Sequence, residues 1–181
     1  TYSISKSVSP VVTVALDMFV GDMKQVTGVL PQKVSTGTSA VRIIQLDKHQ
    51  AIVKELKRSG VPVDNLKAKK DAFFIKVTGD SGQRQLLVVG SDGRGTAYGI
   101  LELSRLAGVS PWVWWGDVTP MQKEYLSVPA DYTTFQSPSG EYRGIFLNDE
   151  DWSLQPWSWK NFEPSDIKGR IGARTYKEIF N

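Results

Sequence analysis

Residues 142–152 read YRGIFLNDEDW and hold the densest set of chemically capable side chains in the sequence. Residues 143–147 are mostly apolar, with a β-branched and an aromatic member, and predict a short buried strand. The strand is expected to run directly into Asn148, Asp149, Glu150 and Asp151. Successive carboxylates repel one another and are costly to bury. They belong where a carboxylate acts on a substrate, or where water covers all of them. A cation site fits less well, because the segment lacks the spaced oxygens and central glycine of a calcium loop.

A second unusual segment is SPWVWWGDVTP, residues 110–120, where Trp112, Trp114 and Trp115 fall within four positions. In an extended chain Trp112 and Trp114 share one side and Trp115 the other. Indole faces stack on the apolar C–H faces of sugar rings, and they seal domain interfaces equally well. Composition by itself favours interface packing.

Other chemistry is argued against by residue type. In residues 90–96, GSDGRGT, Gly90 and Gly95 have the spacing of a phosphate loop, but Thr96 stands where the lysine is required. The dinucleotide pattern fails at Tyr98, where a glycine or alanine is needed. The glycines are expected to permit a tight strand-to-helix turn. The single histidine, His49, lacks a second imidazole to share a metal with, so a surface role is expected. Cysteine is absent, which excludes disulfides and thiolate sites. No metal and no cofactor are expected.

These residues need elements to hold them. Ser9 and Pro10 open a predicted helix ending at Gly28, with Val11, Val14, Ala15, Met18, Met23 and Val26 as its inward face. Residues 1–7 suggest an edge strand, 41–46 a strand, 48–59 a helix, and 72–78 and 85–89 two strands about a turn, the second of them central. A helix follows to Ala107, stopped by Gly108. Short strands are expected at 125–128 and 132–135, a linker at 137–140, an irregular loop through Trp152, Trp157, Trp159 and Phe162, and a helix begun at 174–180. That last helix is short, so its apolar residues Ile179 and Phe180 are expected to pack on chain beyond Asn181.

The chain has 181 residues and 40% apolar content, enough for one domain with a core and part of another. Its 22 basic and 19 acidic residues leave a net charge of +3, so no nucleic-acid partner is expected, and Lys67, Lys69 and Lys70 are read as a solvated face. No apolar run approaches the roughly 20 residues of a membrane helix. The element order to about residue 135 describes a compact α/β layer domain, followed by one β/α unit. The expected division is 1–136 and 137–181.

RGTAYGILELSRLAGVSPWVWWGDVTP (residues 94–120), with YRGIFLNDEDW and IGARTYKEIF, resembles glycoside hydrolase family 115, α-glucuronidases that remove glucuronic acid or its 4-O-methyl ether from xylan. The RGTAYG turn is shared with accessory domains of other glycosidase families. The resemblance implies a two-layer α/β N-terminal accessory domain, then the first β/α unit of a (β/α)8 barrel, whose site lies at the strand ends. It implies that Asn148, Asp149 and Glu150 line the glucuronic-acid pocket as substrate-binding groups, with Trp112, Trp114 and Trp115 walling the cleft. An inverting enzyme needs an acid and a base roughly 6.5–9.5 Å apart, which neighbours on one turn are unsuited to supply, so the catalytic pair is expected beyond Asn181 and this chain is expected to be inactive alone. Glucuronoxylan as substrate, a secreted or periplasmic location and the option of a homodimer follow from the resemblance only. The alternative is a non-catalytic carbohydrate-binding or structural, dimer-forming α/β domain.

Overall fold

The computed structural model describes residues 1–35, 37, 39–113, 116, 118–148, 150–163 and 170–180. The chain divides into two compact units, Thr1–Ser139 and Gly140–Asn181.

The first unit is built on five strands: β1 (Tyr2–Ile4), β2 (Val41–Gln45), β3 (Phe73–Thr78), β4 (Gln85–Gly90) and β5 (Thr133–Gln136), in the order β1-β2-β4-β3-β5. β1, β2 and β4 run parallel, while β3 is antiparallel to β4 and β5. β4 is central, as its unbroken apolar run predicts. Side chains alternate across the sheet, so adjacent residues enter different cores. Ile43, Phe73, Ile75 and Val88 meet α1 (Pro10–Thr27) and α4 (Gly93–Ala107) on one face. Ile44, Phe74, Leu87 and Val89 meet Leu56, Val63 and Leu66 of α2 (Val53–Arg58) and α3 (Val63–Lys67) on the other. The unit therefore has three layers, where two were expected, because strands apolar on both faces need cover on both.

Local chemistry sets the helix ends. Extended Ser9 and Pro10 start α1, and the backbone N–H of Ser9 donates to the fully buried Gln45 Oε1 at 2.7 Å. Gly28 and Gly108 end α1 and α4 in the left-handed region, at φ 73° and 99°. Asp92 caps α4, accepting from the Gly95 N–H at 2.8 Å through Oδ1 and from the Asp71 N–H at 2.8 Å through Oδ2. A Cβ on Gly90 would lie 2.1 Å from Thr96 N, and one on Gly95 2.2 Å from the Ala72 carbonyl oxygen. The glycines of residues 90–96 are thus explained by close packing in a strand-to-helix turn.

Several expectations need correction. On α1 the buried stripe is Val12, Ala15, Leu16, Phe19, Met23 and Val26; Val11, Val14 and Met18 are exposed. The helix is apolar on more than one side, and only tertiary placement selects the stripe. The expected helix at 48–59 is two 3-10 turns, Leu46–Lys48 and Gln50–Ile52, followed by α2; α3, begun after Pro62, was not expected. Residues 125–128 form no strand. Their neighbour Lys123 instead ties this segment across two helix ends, its N–H donating to Val26 O at 2.7 Å and its Nζ to Ala107 O at 2.8 Å.

The second unit holds α5 (Leu154–Asn161) and α6 (Ala173–Phe180). α5 replaces the irregular loop expected there. Pro156 lies in its first turn, where no intrahelical N–H is needed, so it does not break the helix. Buried Ser158 of α5 and Thr175 of α6 share a hydroxyl–hydroxyl hydrogen bond of 2.5 Å. Glu163 accepts from the N–H and hydroxyl of Thr175, at 2.9 and 3.0 Å. The strand expected at 143–147 is absent, and Ile145 and Phe146 are exposed. A strand exists only as part of a ladder, and the described residues of this unit contain no other strand to pair with.

Candidate functional site

Asn148, Glu150 and Trp152 are brought together in the turn that leads into α5. Asn148 Nδ2 donates to Glu150 Oε1 at 3.0 Å, and the indole Nε1 of Trp152 donates to Glu150 Oε2 at 3.1 Å. The Glu150 carbonyl accepts from the Ser153 N–H at 3.2 Å, which continues the turn into the helix. Both oxygens of the half-buried Glu150 carboxylate are therefore engaged inside the loop, and the carboxylate is clamped from its two sides. Asn148 and Asp151 are exposed. The indole of Trp152 is 82% exposed although its edge is held. Arg143 donates from Nη1 to Gly140 O at 2.8 Å, along its own strand of chain.

Asp149, Trp114 and Trp115, singled out in the sequence, lie outside the described residues. Trp112 is described and 60% exposed; its N–H donates to Ser110 Oγ at 3.1 Å, and its carbonyl accepts from Gly116 at 2.8 Å. His49 is half-buried, its Nδ1 3.1 Å from the Gln45 carbonyl oxygen. Among the described residues no group of three or more His, Cys, Asp or Glu could hold a metal ion.

Trp152 is not marked out by composition, because it is one of four aromatic residues spaced along the segment predicted as a loop. The available signal was its position one residue after an acidic run, within reach of a carboxylate that could fix its N–H.

Electrostatics in this unit centre on Glu163. Its carboxyl is held below the ordinary value by the Thr175 N–H first, with the Thr175 hydroxyl, Arg174 and the Gly172 N–H adding to the effect against burial. A charged carboxylate at the start of α6 also suits the positive end of the helix dipole.

In the first unit, a groove of about 480 Å³ opens between the carboxyl ends of α1 and α4. Phe19, Met23, Leu103, Leu126, Val128 and Tyr132 are among its walls. Burial pushes the Tyr132 phenol up, helped by the neighbouring Glu102 carboxylate. Sequence periodicity has no means of showing this groove, because segments far apart in the chain make it.

Comparison with known proteins bears on both units. Residues 135–181 match the family model described as Glycosyl hydrolase family 115. A solved structure described as a family GH115 4-O-methyl-alpha-glucuronidase, BtGH115A, with specificity for decorated arabinogalactans, is 46% identical, with a TM-score of 0.78 over 98% of this chain. The chain belongs to glycoside hydrolase family 115. It spans 23% of the length of that family member. A search of curated proteins found no match. Within the family-matched region lie Asn148, Asp149, Glu150 and Trp152, so the loop described above is part of what the family model recognises.

Proposed function

We propose that this chain is part of a glycoside hydrolase that removes glucuronic acid, or its 4-O-methyl ether, from a decorated polysaccharide with inversion at the anomeric carbon. The observation that carries the reading is 46% identity across 98% of the chain to a family GH115 4-O-methyl-alpha-glucuronidase. Xylan and arabinogalactan are the substrate backbones to be distinguished: the first comes from the family resemblance, the second from the substrate of that relative.

In this reading residues 1–136 form an accessory domain and residues 137–181 contribute the first β/α unit of a (β/α)8 barrel. Asn148 and Asp149 accept hydrogen bonds from sugar hydroxyls, and Glu150 shapes the same pocket edge. Glu150 and its acidic neighbours on one turn of chain are unsuited to supply both a general acid and a base roughly 6.5–9.5 Å apart. The catalytic pair is therefore assigned to other parts of the polypeptide, and the 181-residue chain alone is inactive. Trp112, Trp114 and Trp115 are assigned to substrate binding. A polysaccharide substrate favours a secreted or periplasmic location, and a homodimer is compatible with the reading.

The exposed indole of Trp112 supports a second role for the first unit, as a carbohydrate-binding surface in the same protein. The test is to incubate the longer polypeptide that contains this chain with glucuronoxylan and with glucuronidated arabinogalactan, and to measure free uronic acid by chromatography. Release from either substrate supports the reading and names the backbone. Release from neither refutes it. Release by the 181-residue chain alone refutes the assignment of the catalytic pair to other residues.

A further inference from the structure

We propose that Trp152 is a stacking platform for a neutral sugar ring of the polysaccharide, with Glu150 as the positioning residue that fixes its edge. This deepens the functional reading given above and names a subsite of the same loop.

An indole has one polar edge and two apolar faces. In Trp152 the polar edge is satisfied: Nε1 donates to Glu150 Oε2 at 3.1 Å, while Asn148 Nδ2 holds the opposite oxygen at 3.0 Å. The rest of the side chain is left to solvent, at 82% exposure. Fixing a side chain by its edge while leaving its faces open removes rotamer freedom in advance, which lowers the cost of stacking a ligand on it. The carbon-bound hydrogens of a pyranose ring supply an apolar face for such a contact.

Charge selects which sugar. The Glu150 carboxylate lies against the indole edge, and the exposed Asp151 adjoins Trp152 in the chain. A uronic acid ring laid on this indole would bring its own carboxylate into that negative field, which like charges disfavour. A neutral ring meets no such penalty, and its hydroxyls can donate to nearby acids. Trp152 therefore contacts a neutral residue of the backbone or side chain adjoining the uronic acid.

The test measures binding and does not depend on turnover. Affinities of neutral xylo-oligosaccharides and galacto-oligosaccharides, and of free glucuronic acid, are measured by calorimetry on the longer polypeptide that contains this chain. Trp152→Ala is expected to weaken binding of one neutral oligosaccharide roughly tenfold, and more than it weakens binding of glucuronic acid. Trp152→Phe keeps an aromatic face and should recover most of the affinity. Glu150→Ala should weaken neutral-sugar binding, and the Glu150→Ala/Trp152→Ala double variant should be no weaker than Trp152→Ala, since both act through one indole. Neutral-sugar affinity unchanged in Trp152→Ala, a larger loss for glucuronic acid, strict additivity of the two changes, or no neutral-sugar binding by the parent protein would each overturn the proposal. If the parent protein releases no uronic acid but Trp152→Ala still loses neutral-sugar affinity, the hydrolase reading fails and the platform stands.

Discussion

Replacing Asp92 by alanine tests how the first unit joins its central strand to α4. Asp92 Oδ1 accepts from the Gly95 N–H at 2.8 Å, the N-cap bond of the helix. Losing an N-cap of this kind costs about 1 kcal/mol. Its Oδ2 accepts from the N–H of Asp71 at 2.8 Å and from the Ser91 hydroxyl at 3.2 Å. Asp71 is 4% exposed and adopts a left-handed φ of 57°, unusual for a residue with a Cβ, so the Asp92 carboxylate also holds a strained turn. Leaving that N–H buried without an acceptor adds about 1–3 kcal/mol. The two losses together predict about 2–4 kcal/mol for Asp92→Ala. Asp92→Asn retains one acceptor oxygen and should lose about half as much. Urea unfolding followed by far-ultraviolet circular dichroism measures both. A loss below about 0.5 kcal/mol for Asp92→Ala would show that neither the cap nor the Asp71 turn depends on this carboxylate.

Gly95→Ala should be more severe, about 3 kcal/mol or more, because its Cβ would meet the Ala72 carbonyl oxygen at 2.2 Å; retention of the parent unfolding midpoint would contradict the close approach. Ile100→Ala, at a fully buried position of α4, should cost about 2–5 kcal/mol by the same assay. Glu163 has a pKa depressed below its ordinary value of 4.5, so its contribution is complete above that value and is lost as pH falls through the lower folded value. Helix content should therefore show an acid transition below about pH 4.5 that Glu163→Gln lacks; matching acid profiles for the two proteins would remove Glu163 from the α6 start.

The elements that the sequence reveals are those whose cause is local. Pro10, Gly28 and Gly108 act within one turn of chain, and the helix ends they set are found where expected, whereas α4 starts at Gly93, behind the Asp92 cap and inside the turn expected at 90–96. β4 is recognisable because a strand covered on both faces reads as an uninterrupted apolar run. What escaped depends on distant partners. Val11 and Val12 are chemically alike, and only the sheet beneath α1 decides that Val12 is buried. Residues 125–128 are strand-like in composition, yet Lys123 anchors the neighbouring chain to the ends of α1 and α4. Residues 143–147 have strand composition without a ladder partner among the described residues of their unit. At the site, the acidic run was visible as a motif. The clamp that turns Glu150 inward and fixes Trp152 was not, because it depends on side-chain geometry.

The most direct test of the functional account is proton NMR of decorated polysaccharide in the first minutes after adding the longer polypeptide that contains this chain. The account predicts free glucuronic acid, or its 4-O-methyl ether, appearing first as the β anomer, since inversion of an α linkage forms that product before mutarotation. Initial appearance of the α anomer would contradict inversion, and the absence of any released uronic acid would contradict the assignment of the reaction itself.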